Sequence, residues 1–455
     1  MMKFMTLKAI AKSCGGTYYG PADNLEKCVA GIAIDSRKIE NDWLFAATVG
    51  ERVDGHSFME SCYEKGALCC LGEKAPASEE HSYIQVASTF QALKDIAEYY
   101  RSTLEIPVVG ITGSVGKTST KEMISSVLGV KFNTLKTAGN FNNEVGLPLT
   151  VFNIRETHEA AVLEMGISDF GEMHRLSKIA RPNICVITNI GLCHLEFLGD
   201  RDGVLRAKSE IFDFAAEGAK AIVNGDDDKL HTLKSREDLD VTLFGMDSSN
   251  DIYAKQVENL GLDGLQCVIS TPAGEFSAHI HIPGMHMVYN ALAGTSVGLA
   301  LGLTLEEIKA GIESAQTISG RNNIIHTEKY TIMDDCYNAN PVSMKASLDV
   351  LSTALGRKVA ILGDMGELGA DELALHYTVG EHAAQKQIDL LLCVGTLSEE
   401  IVKGAKAVNP EINAEVFTTK EELLEKLSEL LADGDSILIK ASHFMQFEKI
   451  VNALQ

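Results

Sequence analysis

Short apolar runs recur through the middle of the chain, each closed by glycine or a polar turn. IPVVGIT (106–112), AAVLEMG (160–166), NICVITNIG (183–191), AKAIVNGD (219–226) and VTLFGM (241–246) are apolar at most positions. A strand with one wet face alternates, so near-continuous runs predict strands buried on both faces, as in parallel sheets. Between them, Thr118–Gly129 and Glu172–Ala180 have mixed polarity and predict helices, giving a parallel α/β unit. A second series follows, with strands in KVAILGDM (358–365), IDLLLCVG (388–395) and DSILIKAS (435–442) and helices over Glu372–Lys386 and Glu421–Leu431. It predicts a separate α/β domain.

The first stretch, roughly 100 residues, is less regular. Pro107 opens the clearest strand, so a boundary is expected near 103; Ser319-Gly320 precedes RNNIIHTEKYTIMDD and places the other near 320. A chain of 455 residues has room for three domains at about 100–200 residues each. The expected units are 1–103, 104–319 and 320–455.

Charge narrows the partners. Against 63 Asp and Glu there are 40 Lys and Arg, a formal net charge of -23. That field repels nucleic acid and anionic membranes, but leaves room for an anionic small ligand in a locally positive pocket. The N-terminal MMKFMTLKAIAKSCGG is too short and polar in its apolar part for a signal peptide, and no run of ~20 apolar residues follows. A cytoplasmic protein is expected. The cysteines form no CxxC pair and are expected to be small buried apolar residues.

The most informative string is PVVGITGSVGKTSTKEMISSVL. An apolar strand enters a glycine loop, and a helix begins near Gly116, Lys117 and Thr118. Free N–H groups at a helix start, with the Lys117 ammonium, suit phosphate oxygens; the Thr118 hydroxyl suits magnesium. Gly113, Ser114 and Ser119 complete the candidate loop. The spacing departs from the general Walker pattern, with Ile111 where the first glycine belongs. Glu164 closes the strand AAVLEMG, and His194 follows NICVITNIG. At the carboxyl edge of a parallel sheet both are candidate metal ligands beside Thr118, although an isolated Glu or His is more often solvated or structurally paired. Lys208, in RAKSEIF, reads on its own as a solvent-facing helix charge.

Together the segments TGSVGKTSTKE, TAGNFNNEVGLPLT, LEMGISDFGEMHRL, TNIGLCHLEFLG, RAKSEIF, YNALAG, DDCYNANPVSM, LGDMGELG and IKASHFMQFEKI resemble, in family order, the ATP-dependent Mur ligases of peptidoglycan synthesis. The resemblance spans nearly the whole chain. It implies three domains: an N-terminal binder of a UDP-muramoyl peptide, a central P-loop ATPase domain and a C-terminal Rossmann-like domain that closes over the site. It places Ser36, Arg37, Asp54 and His56 on the nucleotide-sugar side, with Asn140 and Asn143 lining the passage between substrates. Glu164 and His194 become magnesium ligands with Thr118, and Lys208 the lysine that is carbamylated in related enzymes. Asn290 resembles an adenine contact, Arg321 the interdomain ATP-binding arginine, and Asp335 the carboxylate that contacts ribose. Lys117, Lys208, His194 and Arg321 are the implied catalytic set.

Tyr337, Asn338, Asn340 and Ser343, in YNANPVSM, resemble the branch that adds a dipeptide. Taken alone, Asn338, Asn340 and Pro341 also suit a capped turn. Ala441 and His443 depart from the Gly and Arg of the family's KGSR form, and Met287 from its usual Asn. The implied reaction transfers the ATP γ-phosphate to the carboxylate of a UDP-N-acetylmuramoyl-tripeptide, and D-alanyl-D-alanine then attacks the acyl phosphate. A magnesium-dependent monomer without nucleic-acid or stable membrane partners is expected. The alternatives are a family member adding a single amino acid or glutamate, against which YNANPVSM and LGDMGELG argue, and a nucleotide-controlled interaction protein without ligase chemistry.

Overall fold

The computed structural model describes residues 2–50, 53–76 and 78–455. Three sheets follow one another along the chain. The first has five strands in the order Thr17–Tyr19, Tyr83–Gln85, Cys69–Gly72, Leu44–Ala46 and Ile32–Ala33, all parallel except the first pair. The second has nine, ordered Gly274–Ile280, Leu265–Thr271, Ile252–Asn259, Asp240–Gly245, Lys220–Asn224, Ile184–Ile187, Val108–Thr112, Ala160–Glu164 and Thr134–Lys136. Its parallel part contains every strand that the apolar runs predict there, and Val108–Thr112 is buried at every position. The strands from Leu265 to Ile280 add an antiparallel edge. The third sheet has six strands, ordered Asn323–His326, Thr331–Asp334, Ser436–Lys440, Lys358–Gly363, Leu390–Val394 and Asn413–Phe417, parallel after the first pair.

The helix Thr89–Ser102 ties the first sheet to the second. Its Ser88 side chain caps the start by accepting from the Gln91 N–H at 3.3 Å. Ala92, Leu93, Ile96, Ala97 and Tyr100 are buried at helical spacing. They join one apolar cluster that includes Leu147, Val151, Met173 and Leu176 of the central unit, and the Tyr100 hydroxyl donates to Ile154 O at 2.6 Å. Arg101, 6% exposed, donates to the carbonyls of Ala180, Arg181 and Leu104 and to Asn183 Oδ1 at 2.8–3.2 Å. It thereby satisfies the carboxyl end of the helix Glu172–Ala180, and burial pulls its pKa down to about 10. Arg101→Ala leaves these acceptors without their donor. It is expected to lower stability by roughly 2–4 kcal/mol, read from the shift of the urea unfolding curve.

Among the described residues no helix is long and apolar enough to cross a membrane. All ten cysteines are free.

Candidate active site

Val108–Thr112 lies between Ala160–Glu164 and Ile184–Ile187, so the loops leaving the carboxyl ends of these three strands meet in one crevice. The first loop, residues 113–116, turns into the helix Lys117–Gly129. Gly116 has φ 81, a left-handed conformation that needs glycine although a side chain there would meet open space. At Gly113 space is the limit: a Cβ would lie 1.9 Å from Thr188 Oγ1. The loop is held by the neighbouring strand's end. Ser114 N and Val115 N donate to the backbone and side-chain oxygens of Asn189 at 3.1 and 3.0 Å. Thr188 Oγ1 and Asn189 Nδ2 donate to Val115 O at 2.8 and 2.9 Å. Ser114 Oγ accepts from Gly191 N at 2.8 Å and lies 3.1 Å from Cys193 Sγ. Lys117 Nζ folds back onto Gly113 O at 2.8 Å.

Glu164 is 2% exposed. Its Oε1 accepts from Asn142 Nδ2 at 2.8 Å, its N–H donates to Thr137 Oγ1 at 2.9 Å, and Oε2 is buried with no hydrogen-bond partner. Lys121 Nζ stands 3.8 Å from Oε2 and donates to Thr137 O at 2.8 Å. Thr118 is buried at the head of the helix, and the Thr112 hydroxyl nearby is also unpartnered. His194 has φ 51, and burial lowers its pKa, with Lys208 and Lys117 pushing the same way.

Lys208 departs from the solvated helix charge that its sequence context suggests. It is 1% exposed. Burial, reinforced by Lys117, brings its pKa down to about 7. Burial lowers Lys117 too; Glu164 opposes this and Arg321 adds to it. Among the described residues no group of three or more His, Cys, Asp or Glu could itself hold a metal ion. Glu164 and His194 carry donor types that suit magnesium, which commonly keeps few protein ligands and completes its shell with water and phosphate oxygens. The orphaned Glu164 Oε2 fits that use.

A narrow cleft opens beside the helix Lys117–Gly129, lined by Ser119, Met123, His286, Met287, Ile318 and Arg321. Asn290 is committed elsewhere: its Oδ1 accepts from Thr120 Oγ1 at 2.8 Å and its Nδ2 meets Met287 Sδ at 3.1 Å, joining two buried helices. Asp335 takes Lys440 Nζ and Ser347 Oγ on Oδ2, both at 2.6 Å, and Asn322 N on Oδ1 at 3.0 Å.

In the first unit, the Arg37 side chain is 87% exposed and held by Asp35 through two bonds of 2.8 and 2.9 Å. The backbone carbonyl of Ser36 accepts from Lys65 Nζ at 2.7 Å. His56 has both ring nitrogens in use: Nδ1 lies 2.6 Å from Asp54 Oδ1, and Nε2 accepts from Glu73 N at 2.9 Å. Asp54 also takes Lys74 Nζ at 2.6 Å. This pair braces two loops against each other. Asn140 is exposed, whereas Asn143 Oδ1 accepts from Val145 N and Gly146 N and starts the helix Gly146–Val151. In the third unit, Asn340 and Ser343 form a reciprocal capping box with Pro341 at the first helical position, so the capped-turn reading holds for them. Asn338 is exposed, with its carbonyl bound by Lys440 at 3.1 Å.

Asn142 and Lys121, which touch or approach Glu164, and Lys440, which holds Asp335, were not singled out by sequence reasoning. Lys121 sits one helical turn after Lys117, a spacing that puts both on neighbouring positions of one face.

A nucleotide-phosphate cradle at the switch point of a central α/β sheet, between two further α/β units, defines a class of protein. Family models match three successive stretches: Mur ligase family, catalytic domain, over 29–109; Mur ligase middle domain, over 111–298; and Mur ligase, glutamate ligase domain, over 320–443. The chain belongs to the Mur ligase family. It is 37% identical to the UDP-N-acetylmuramoyl-tripeptide–D-alanyl-D-alanine ligase of Bacillus subtilis and 33% identical to that of Escherichia coli, covering 99% of this chain and 98% of each relative. It superposes on MurF from Acinetobacter baumannii with a TM-score of 0.89 at 33% identity, covering 99% and 98% of the two chains. MurF ligase from Thermotoga maritima in complex with ADP gives 0.81 at 28%, covering 93% and 96%.

Proposed function

We infer that this enzyme uses ATP to join D-alanyl-D-alanine to a UDP-N-acetylmuramoyl-tripeptide. The observation that carries the ATP chemistry is a pinned phosphate loop that opens into a helix at Lys117 and Thr118, beside a buried carboxylate with one unpartnered oxygen. The acceptor is supported by full-length similarity to ligases of that name. The tripeptide carboxylate attacks the γ-phosphorus and ADP leaves. The dipeptide amine then attacks the acyl carbon, the tetrahedral intermediate expels phosphate, and the nitrogen gives up its proton as the amide forms. Lys117 and Arg321 lower the energy of the transferring phosphoryl group by meeting its charge with positioned N–H donors.

Magnesium is assigned to Thr118, Glu164 and His194, where it would supply positive charge to the phosphate oxygens. Lys208 is proposed to carry a carbamate: its neutral Nζ adds to carbon dioxide, an N–C bond forms and a proton is released. Residues 1–103 are assigned to the muramoyl nucleotide, with Ser36 and Arg37 as its contacts, 104–319 to ATP, and 320–455 to the dipeptide and to closure. Closure aligns the amine with the acyl phosphate and keeps water out. The enzyme is proposed to act as a cytoplasmic monomer.

The test incubates purified enzyme with ATP, magnesium and UDP-N-acetylmuramoyl-tripeptide, adds D-alanyl-D-alanine or single amino acids, and identifies products by mass spectrometry. The pentapeptide product is expected; ligation of a single amino acid instead would remove the dipeptide assignment. Asn142 gives a narrower check. Because it orients Glu164, Asn142→Ala is expected to raise the magnesium concentration for half-maximal rate about 10-fold, the lower end for a lost ligand-orienting hydrogen bond.

A further inference from the structure

Arg321 lines the nucleotide cleft with a guanidinium that offers five N–H donors, and among the described residues none has a hydrogen-bond acceptor; Nε is buried as well. What holds it is Tyr337. The guanidinium carbon lies 4.2 Å from the centre of the Tyr337 ring, and that ring lies 5.3 Å from the imidazole of His443 at an angle of 32°. The backbone beneath is fastened at several points. Tyr337 N donates to Gly320 O at 3.0 Å. Gly320 N and Ser319 Oγ donate to Asp334 Oδ2 at 2.7 and 3.2 Å, and Asn322 N donates to Asp335. The Tyr337 hydroxyl has no partner among the described residues.

An aromatic face suits this task better than a carboxylate. A carboxylate would occupy the guanidinium fork and neutralise it, whereas a ring attracts the cation through its quadrupole and leaves the in-plane donors free. Arg321 shares its cleft with Ser119, two residues after Lys117 on the helix that follows the phosphate loop.

We propose that Tyr337 is a positioning residue for the nucleotide, holding the Arg321 guanidinium on its ring with the N–H donors directed to the phosphates of ATP. This rests on the ATP-dependent ligase reading and replaces the expectation that Tyr337 contacts the peptide substrate. His443, where the family form has arginine, packs beside the ring.

The experiment measures KM for ATP and for D-alanyl-D-alanine separately in the full-length enzyme, and the Kd of magnesium-ATP by calorimetry. Tyr337→Leu is expected to raise KM and Kd for ATP roughly 3- to 30-fold, the range of a partly desolvated cation–π contact, with KM for the dipeptide within about twofold of wild type. Tyr337→Phe keeps the ring and should bring ATP binding back to within about twofold. Arg321→Ala should weaken ATP binding by itself, and adding Tyr337→Leu to it should change little more, the signature of two residues acting as one. Pentafluorophenylalanine at 337 keeps the shape but removes the negative ring face, so it should behave as the leucine variant does even if that variant folds poorly. Unchanged ATP binding with leucine or the fluorinated ring would overturn the proposal, as would a dipeptide KM that moves with the hydroxyl in Tyr337→Phe. Calorimetry separates this from the parent reading: ATP binding reports on Tyr337 even if no pentapeptide is formed.

Discussion

Replacing Lys117 with methionine is expected to cut ATP turnover by about 100- to 1,000-fold at saturating substrates, the usual cost of losing one preorganised donor to a transition-state oxyanion. The geometry makes this a clean subtraction. The phosphate loop is fastened through Asn189, Thr188 and Gly191, none of which depends on Lys117. Only the bonds from Nζ to Gly113 O at 2.8 Å and Ser114 O at 3.5 Å disappear, and methionine fills nearly the same volume. Since burial already disfavours the ammonium, the folded state should lose little, and the variant's melting temperature should stay near or above that of wild type. ADP release followed by a coupled assay gives the rate. A variant retaining more than about one-tenth of wild-type turnover would show that Lys117 does not meet the transferring phosphate.

The parts of this enzyme that could be read without coordinates are those where one physical demand dominates several adjacent residues. Val108–Thr112 and Ala160–Glu164 are buried on both faces, so each stands out as an apolar run. The phosphate loop stands out because left-handed backbone and close approach both demand glycine in a short stretch. The hairpin from Leu265 to Ile280 is hard to read for the opposite reason: exposed and buried positions mix, and its two-residue turn, Pro272-Ala273, lacks the Asn-Gly or Gly-X signal of a tight hairpin.

Side chains in loops were harder still. NFNN contains three asparagines, and without a period nothing told Asn142, which meets Glu164, from Asn140, which is exposed, or Asn143, which caps a helix. His56 has the chemistry of a ligand contact, but a bond to each nitrogen spends it on the fold. The overall charge of -23 likewise says nothing of where single cations such as Lys117 and Arg321 are placed.

Lys208 carries the sharpest test, because one substitution should move activity and stability in opposite directions. Lys208→Met is expected to lower ligation by at least about 100-fold if the carbamate helps position charge at the phosphates. The same change should stabilise the ligand-free protein, since it removes an ammonium whose burial is unfavourable. The pH dependence follows from the direction of the shift. Lys208 titrates at about 7 when folded, and an unfolded lysine at about 10.4. Between those values the unfolded chain binds a proton that the folded chain does not, so this group makes wild-type stability rise with pH. Below about pH 7 both states are protonated and the penalty of burial is complete. The methionine variant should therefore gain most at pH 7 and below, up to about 5 kcal/mol, and the gain should fade toward pH 10. Urea unfolding in buffers freed of carbon dioxide measures it. Adding bicarbonate should raise wild-type turnover but not that of the variant, and intact-protein mass under native conditions should show one added carbon dioxide in wild type alone. A stability difference independent of pH would mean that Lys208 is charged and solvated in solution. Equal turnover in the two proteins would remove it from the reaction.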